Sequence, residues 1–127
     1  MRRRLPWLLA GGIALATGAA ASAHHSAAMF DAENPVELAG TVREFKYTSP
    51  HTFIVLEVKE PGGASKIWML EGNAPSNLVR EGWWHDTLKP GDEIRLTVQP
   101  LRSAAPGGSW NSSRIKFNDG RPVVLAP

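Results

Sequence analysis

SKIWMLEGNAPSNLVREGWWHDTLKPGDEIRLTV, residues 65–98, decides the fold. Its opening alternates, with Trp68 and Leu70 on one side and Ile67 and Met69 on the other, the period of a strand from about Ser65 to Gly72. Then the alternation stops. Asn73 stands where a helix cap belongs, Pro75 takes a favoured early helical position and Gly82 is a natural stop. A short helix is therefore predicted over roughly Pro75 to Glu81. Lys89-Pro90-Gly91-Asp92 makes a tight turn, after which Ile94, Leu96 and Val98 alternate with Glu93, Arg95, Thr97 and Gln99 in another strand.

Working towards the N-terminus, His51 to Lys59 reads as a strand with Ile54, Leu56 and Val58 on one face, joined to the next by a Glu60-Pro61-Gly62-Gly63 hairpin turn. Before it, Pro35 introduces a longer strand in which Val36, Leu38, Gly40 and Val42 share a face. The phase then shifts to Phe45 and Tyr47, which predicts a one-residue bulge near Arg43-Glu44. Working towards the C-terminus, Ser103 to Ser109 reads as a mobile loop, Trp110 to Phe117 as a fifth strand, and Pro122 to Leu125 as a short last strand after Asn118-Asp119-Gly120. Three strands, a short helix, then two strands predict an all-β domain with one short helix, an OB-like five-stranded Greek-key barrel. A small β-sandwich is the alternative; the helix between strands three and four favours the barrel.

Residues 1–23 read as a secretory signal peptide: Arg2-Arg3-Arg4, an apolar run from Leu5 to about Ala16, and Ala21-Ser22-Ala23 as the cleavage site. Cleavage after Ala23 leaves residues 24–35 as an extended arm and residues 36–127 as the barrel, expected in the periplasm. Three of the 14 basic side chains and none of the 12 acidic ones lie in the leader, so the mature chain carries 11 against 12. That balance argues against a nucleic-acid or anionic-membrane partner, which needs a basic surplus. No segment is long enough for a membrane span in the mature chain, and with no cysteine its stability must come from an apolar core.

Several motifs run through the mature chain: His24-His25-Ser26, Phe30-Asp31, Gly40-Thr41-Val42, Pro50-His51, Trp68, Glu71-Gly72, Arg80, Gly82-Trp83, Lys89-Pro90-Gly91-Asp92 and Asp119-Gly120-Arg121. Together they resemble the domain-of-unknown-function family six-one-five-two of small exported bacterial proteins. The resemblance implies export and a small β-rich domain, and brings no established activity. Ser49-Pro50-His51 stands where the family pattern has Asn-Pro-His, and Tyr47 where it has Trp.

The candidate chemistry starts at the cleavage site. Cutting after Ala23 makes His24 the first residue, and its α-amine and ring Nδ1 close a chelate on one metal ion. An ordinary α-amine titrates near ~7.7–8.0, so a transition metal displaces its proton at neutral pH. Nitrogen donors of this kind suit Cu(II), so copper is the expected cofactor if there is one. His51 is the best second histidine, His25 a competing donor, Met29 a soft donor for Cu(I), and Glu71 an auxiliary. Glu71 interrupts an apolar strand, and is expected either to bridge to Arg80 or to orient a histidine, the bridge being favoured. His85 before Asp86 reads as a solvated residue of the helix-to-strand connection.

Trp84 and Trp110 are candidates for an exposed platform that stacks on an envelope saccharide or peptide, with Trp68 in the core and Trp83 plugging one barrel end. A structural or assembly accessory presenting an apolar patch is the third reading. No nucleophile elbow, reactive cysteine, His-Glu-x-x-His or phosphate-binding glycine loop is present, so binding is favoured over catalysis.

Overall fold

In the computed structural model, which describes residues 27–125, the alternating segments close into a barrel of five strands in the order β1-β2-β3-β5-β4. These are β1 (Val36–Lys46), β2 (Phe53–Lys59), β3 (Ser65–Glu71), β4 (Glu93–Pro100) and β5 (Gly107–Phe117). A short helix α1 (Pro75–Leu78), continued by a 3-10 turn over Val79–Glu81, lies between β3 and β4. The expected OB-like Greek-key order is therefore found, with the helix where it was predicted. No helix among the described residues is long and apolar enough to cross a membrane.

The length of β1 is what closes the sheet. Its first half pairs with β4, from Val36↔Val98 to Thr41↔Glu93, and its second half with β2, from Thr41↔Glu57 to Lys46↔Phe53. A register shift between Val42 and Glu44 is the predicted bulge, and it bends the strand from one neighbour to the other. All pairings are antiparallel except β3 with β5.

Alternation then fills the interior. Val42, Ile54, Leu56, Leu70, Ile94 and Leu96 are fully or almost fully buried. Each aliphatic side chain of this kind contributes about 1.5–3 kcal/mol when removed from water. One barrel end is plugged by aromatic rings: Trp83 lies 5.1 Å from Trp110 and 6.0 Å from Phe45, centroid to centroid. The Tyr47 hydroxyl, 3.2 Å from the Pro75 carbonyl and 3.0 Å from that of Trp83, ties β1 to the helical segment. Gly82 ends that segment at φ 83°, a left-handed conformation glycine adopts without a Cβ penalty.

Several expectations are corrected. The helix cap is Ala74, with no side-chain cap; the Asn73 carbonyl instead accepts from the Thr52 amide and hydroxyl. β5 begins at Gly107, not Trp110, because Gly107, Gly108 and Ser109 pair with Met69, Leu70 and Glu71 of β3. The expected last strand at Pro122–Leu125 reduces to one bridge between Lys116 and Pro122. Trp68 is only partly buried, packed against the rim of the core. The proposed leader and residues 24–26 lie outside the described residues.

Candidate functional site

The turn from β1 to β2 presents His51. Its backbone is held from three sides: the Thr48 hydroxyl donates to the His51 carbonyl at 3.2 Å, buried Thr52 donates to the Asn73 carbonyl at 2.8 Å, and the Gly72 amide donates to the Thr52 carbonyl at 2.8 Å. The Ser49–Pro50 bond in this turn is cis. These contacts lock the start of β2 onto the end of β3.

The lock brings a carboxylate to the imidazole. Register pairs Phe53 with Glu71, so Glu71 sits diagonally from His51, the neighbour reached by long side chains across a sheet. His51 Nδ1 lies 3.3 Å from Glu71 Oε1, while the His51 side chain stays 46% exposed. Glu71 therefore pairs with His51 and not with Arg80, a correction of the favoured expectation. With Nδ1 turned to the carboxylate, Nε2 is the nitrogen left to meet an outside partner. A carboxylate beside the ring can orient a metal-binding histidine when the ring N–H donates to it.

The arm approaches from the other side of the β4–β5 loop. Phe30 bridges Leu101, the Asp31 amide donates to the Pro100 carbonyl at 2.8 Å, and the Arg102 amide donates to the Met29 carbonyl at 2.9 Å. Asp31 Oδ1 accepts from the amides of Glu33 and Asn34, making a turn that carries the chain into β1. The Asn34 side chain, foremost, holds the Asp31 carboxyl below its ordinary value of 3.8, with the Glu33 amide and Arg102 adding to the effect. A lowered carboxylate pKa contributes stability above the unfolded value and loses it as pH falls through the folded value. The expected result is an NMR titration midpoint for Asp31 below 3.8, with the turn loosening only beneath it. A midpoint at or above 3.8 would contradict this.

Among the described residues no group of three or more His, Cys, Asp or Glu side chains is placed to hold a metal ion. His51 and Glu71 are a pair, not a complete site. His24 and His25 lie outside the described residues, Met29 is exposed on the arm, and His85 is exposed in the helix-to-strand connection.

The tryptophan platform is corrected. Trp84 is 57% exposed but Trp110 only 4%, its indole packed so closely on Gly72 that no Cβ would fit there. Among the described residues Trp110 Nε1 finds no hydrogen-bond partner, although it is buried. A cleft of about 510 Å³ near the far end of β2, lined by Gly40, Arg43, Glu57, Lys59 and Glu93 among others, holds neither histidine nor methionine.

Sequence reasoning gave Met69 no role, yet it is 42% exposed on the outer face of β3. The alternation that sends Leu70 inward turns Met69 and Glu71 outward together. That signal was available in the sequence.

Among solved structures, the chain is similar to a small single-stranded DNA-binding protein from Streptomyces coelicolor at 12% identity and a TM-score of 0.43, covering 70% of this chain and 96% of that one. No curated protein matches it. The model of a family described as of unknown function, DUF6152, matches residues 13–111, most of the chain. The chain belongs to the DUF6152 family.

Proposed function

We propose that this is an exported copper-binding barrel in which one Cu(II) is held by the α-amine and Nδ1 of His24 and by Nε2 of His51. The observation that carries the reading is the 3.3 Å approach of His51 Nδ1 to Glu71 Oε1, which leaves Nε2 as the nitrogen for an outside partner. Glu71 orients the ligand and is not itself a donor to the metal; His25 and Met29 are auxiliaries on the arm.

The described part of the arm is pinned on the flank of the barrel: Phe30 pairs with Leu101, Leu101 bonds Gly107, and Gly107 pairs with Met69, three interstrand spacings or about 14 Å from β3.

The envelope-ligand alternative keeps Trp84 but loses Trp110 as a second stacking surface. Calorimetry on the processed protein tests the copper reading. Unaltered protein is expected to bind one Cu(II), His51→Ala to bind none at comparable affinity, and Glu71→Gln to lose roughly 10–100-fold, the usual cost of removing an orienting partner. Equal affinity in all three proteins overturns the reading.

A further inference from the structure

We infer that a second cleft, formed by β4, β5 and the arm, binds a small hydroxylated carboxylate whose charged end is taken by the Arg114 guanidinium. The inference does not rest on copper. The cleft is lined by neither histidine nor methionine, so either reading can fail without the other.

A break in the β4–β5 ladder builds the site. Leu96 pairs with Ile115 and Val98 with Trp110. Between those pairs β4 has Thr97 alone, whereas β5 has Asn111, Ser112, Ser113 and Arg114. The surplus residues must leave the ladder, and bulges of this kind re-aim side chains. Local contacts hold the bulge in shape. Asn111 Oδ1 accepts from the Ser113 amide at 2.9 Å and from its hydroxyl at 2.7 Å, and Ser112 Oγ bonds the Glu81 carboxylate. With its oxygen so engaged, Asn111 keeps its amide N–H groups to donate. The turn centred on Asp31 adds Ala32 and Pro35 of the arm to the walls.

The lining sets the chemistry of the ligand. The cleft holds about 320 Å³, the small end of the range for ligand sites. Arg114 is its one charged side chain, and no carboxylate lines it. Among the described residues Arg114 has no acidic partner. Glu37, Glu71 and Glu81, on neighbouring elements, are already engaged with Thr97, His51 and Ser112. A planar guanidinium matches a carboxylate through two parallel hydrogen bonds. Asn73, Gln99 and Ser109 add neutral side chains that both donate and accept, which suits hydroxyl groups and not a second charge. One cation among neutral polar groups in so small a space selects a monocarboxylate the size of a sugar acid.

The test titrates the processed protein with galacturonate, gluconate, galactose and inorganic phosphate. Calorimetry gives the affinity and the indole N–H resonances give the place, because Trp110 lines the cleft and exposed Trp84 does not. Both sugar acids are expected to bind saturably at about 1 mM or tighter and to move the Trp110 resonance while that of Trp84 stays. Galactose, which lacks the carboxylate, should bind at least about tenfold more weakly. Arg114→Gln should weaken the sugar acids by about tenfold or more, and Arg114→Lys, which keeps the charge but not the fork, by less. Lys116→Gln removes a charge from β5 outside the cleft and should change nothing. Arg114 is exposed, so its variants should fold, and Cu(II) affinity should be the same in Arg114→Gln. The inference is overturned if neither sugar acid binds, if Arg114→Gln binds them as the unaltered protein does, or if they bind without moving the Trp110 resonance. Phosphate binding tighter than both sugar acids overturns the carboxylate assignment.

Discussion

Trp83→Ala is expected to cost about 3–5 kcal/mol of folding stability, the range for removing a buried aromatic ring. The magnitude follows from its position at the plugged end of the barrel. The ring is buried against Trp110 and Phe45, and its backbone carbonyl accepts from Tyr47 while its amide donates to Leu78 at 3.0 Å. Without the ring, the helical segment, the end of β1 and Trp110 lose their common neighbour, and rigid strands collapse poorly into such a void. A domain of this size has about 5–15 kcal/mol in total, so the variant keeps little reserve. In melting temperature the loss corresponds to at least ~12 °C. Trp84→Ala supplies the control. The adjacent ring is 57% exposed, and its removal should stay within about 0.5 kcal/mol. Thermal melts in which the two variants behave alike would contradict the packing described.

A single glycine added ahead of His24 is the second large effect. It converts the α-amine into an amide and breaks the chelate that His24 forms with its own ring. Cu(II) affinity is expected to fall on the order of a hundredfold or more, about 2.7 kcal/mol. The apo barrel should not notice the change, because its buried core residues lie on β1 to β5, in the helical segment and in the connection from it to β4, and none lies on the arm. Calorimetry and a thermal melt on the same sample separate the two effects. Unchanged copper binding by the extended protein would remove the amine from the site. A lowered apo melting temperature would mean that the arm supports the barrel.

The barrel was legible because its pattern is strong where the core is. Clean alternation around Ile94, Leu96 and Val98, the phase shift after Val42, and Pro75 with Gly82 bracketing the helix each have one physical solution. β5 was harder. Glycines at 107 and 108 resemble a loop in sequence, yet both are buried in the parallel pairing with β3. Trp110 misled for a related reason: Gly, Ser and Asn around it show no apolar alternation, so nothing locally revealed that it faces the core. The Asn73 cap failed because its carbonyl was taken by Thr52, a contact between distant segments.

The site was half legible. His51 and Glu71 were each singled out, but their partnership depends on the β2–β3 register. The hairpin turn after Lys59 fixes that register and sets Glu71 opposite Phe53. Counting across the turn would have placed Glu71 diagonal to His51 and favoured it over Arg80.

The most direct test is pulsed electron paramagnetic resonance of the processed protein loaded with one equivalent of Cu(II). The remote nitrogens of coordinated imidazoles modulate the echo, and the account predicts two in the unaltered protein and one in His51→Ala. Identical spectra from the two proteins would contradict it, because the ring fixed by Glu71 would then have no place on the copper.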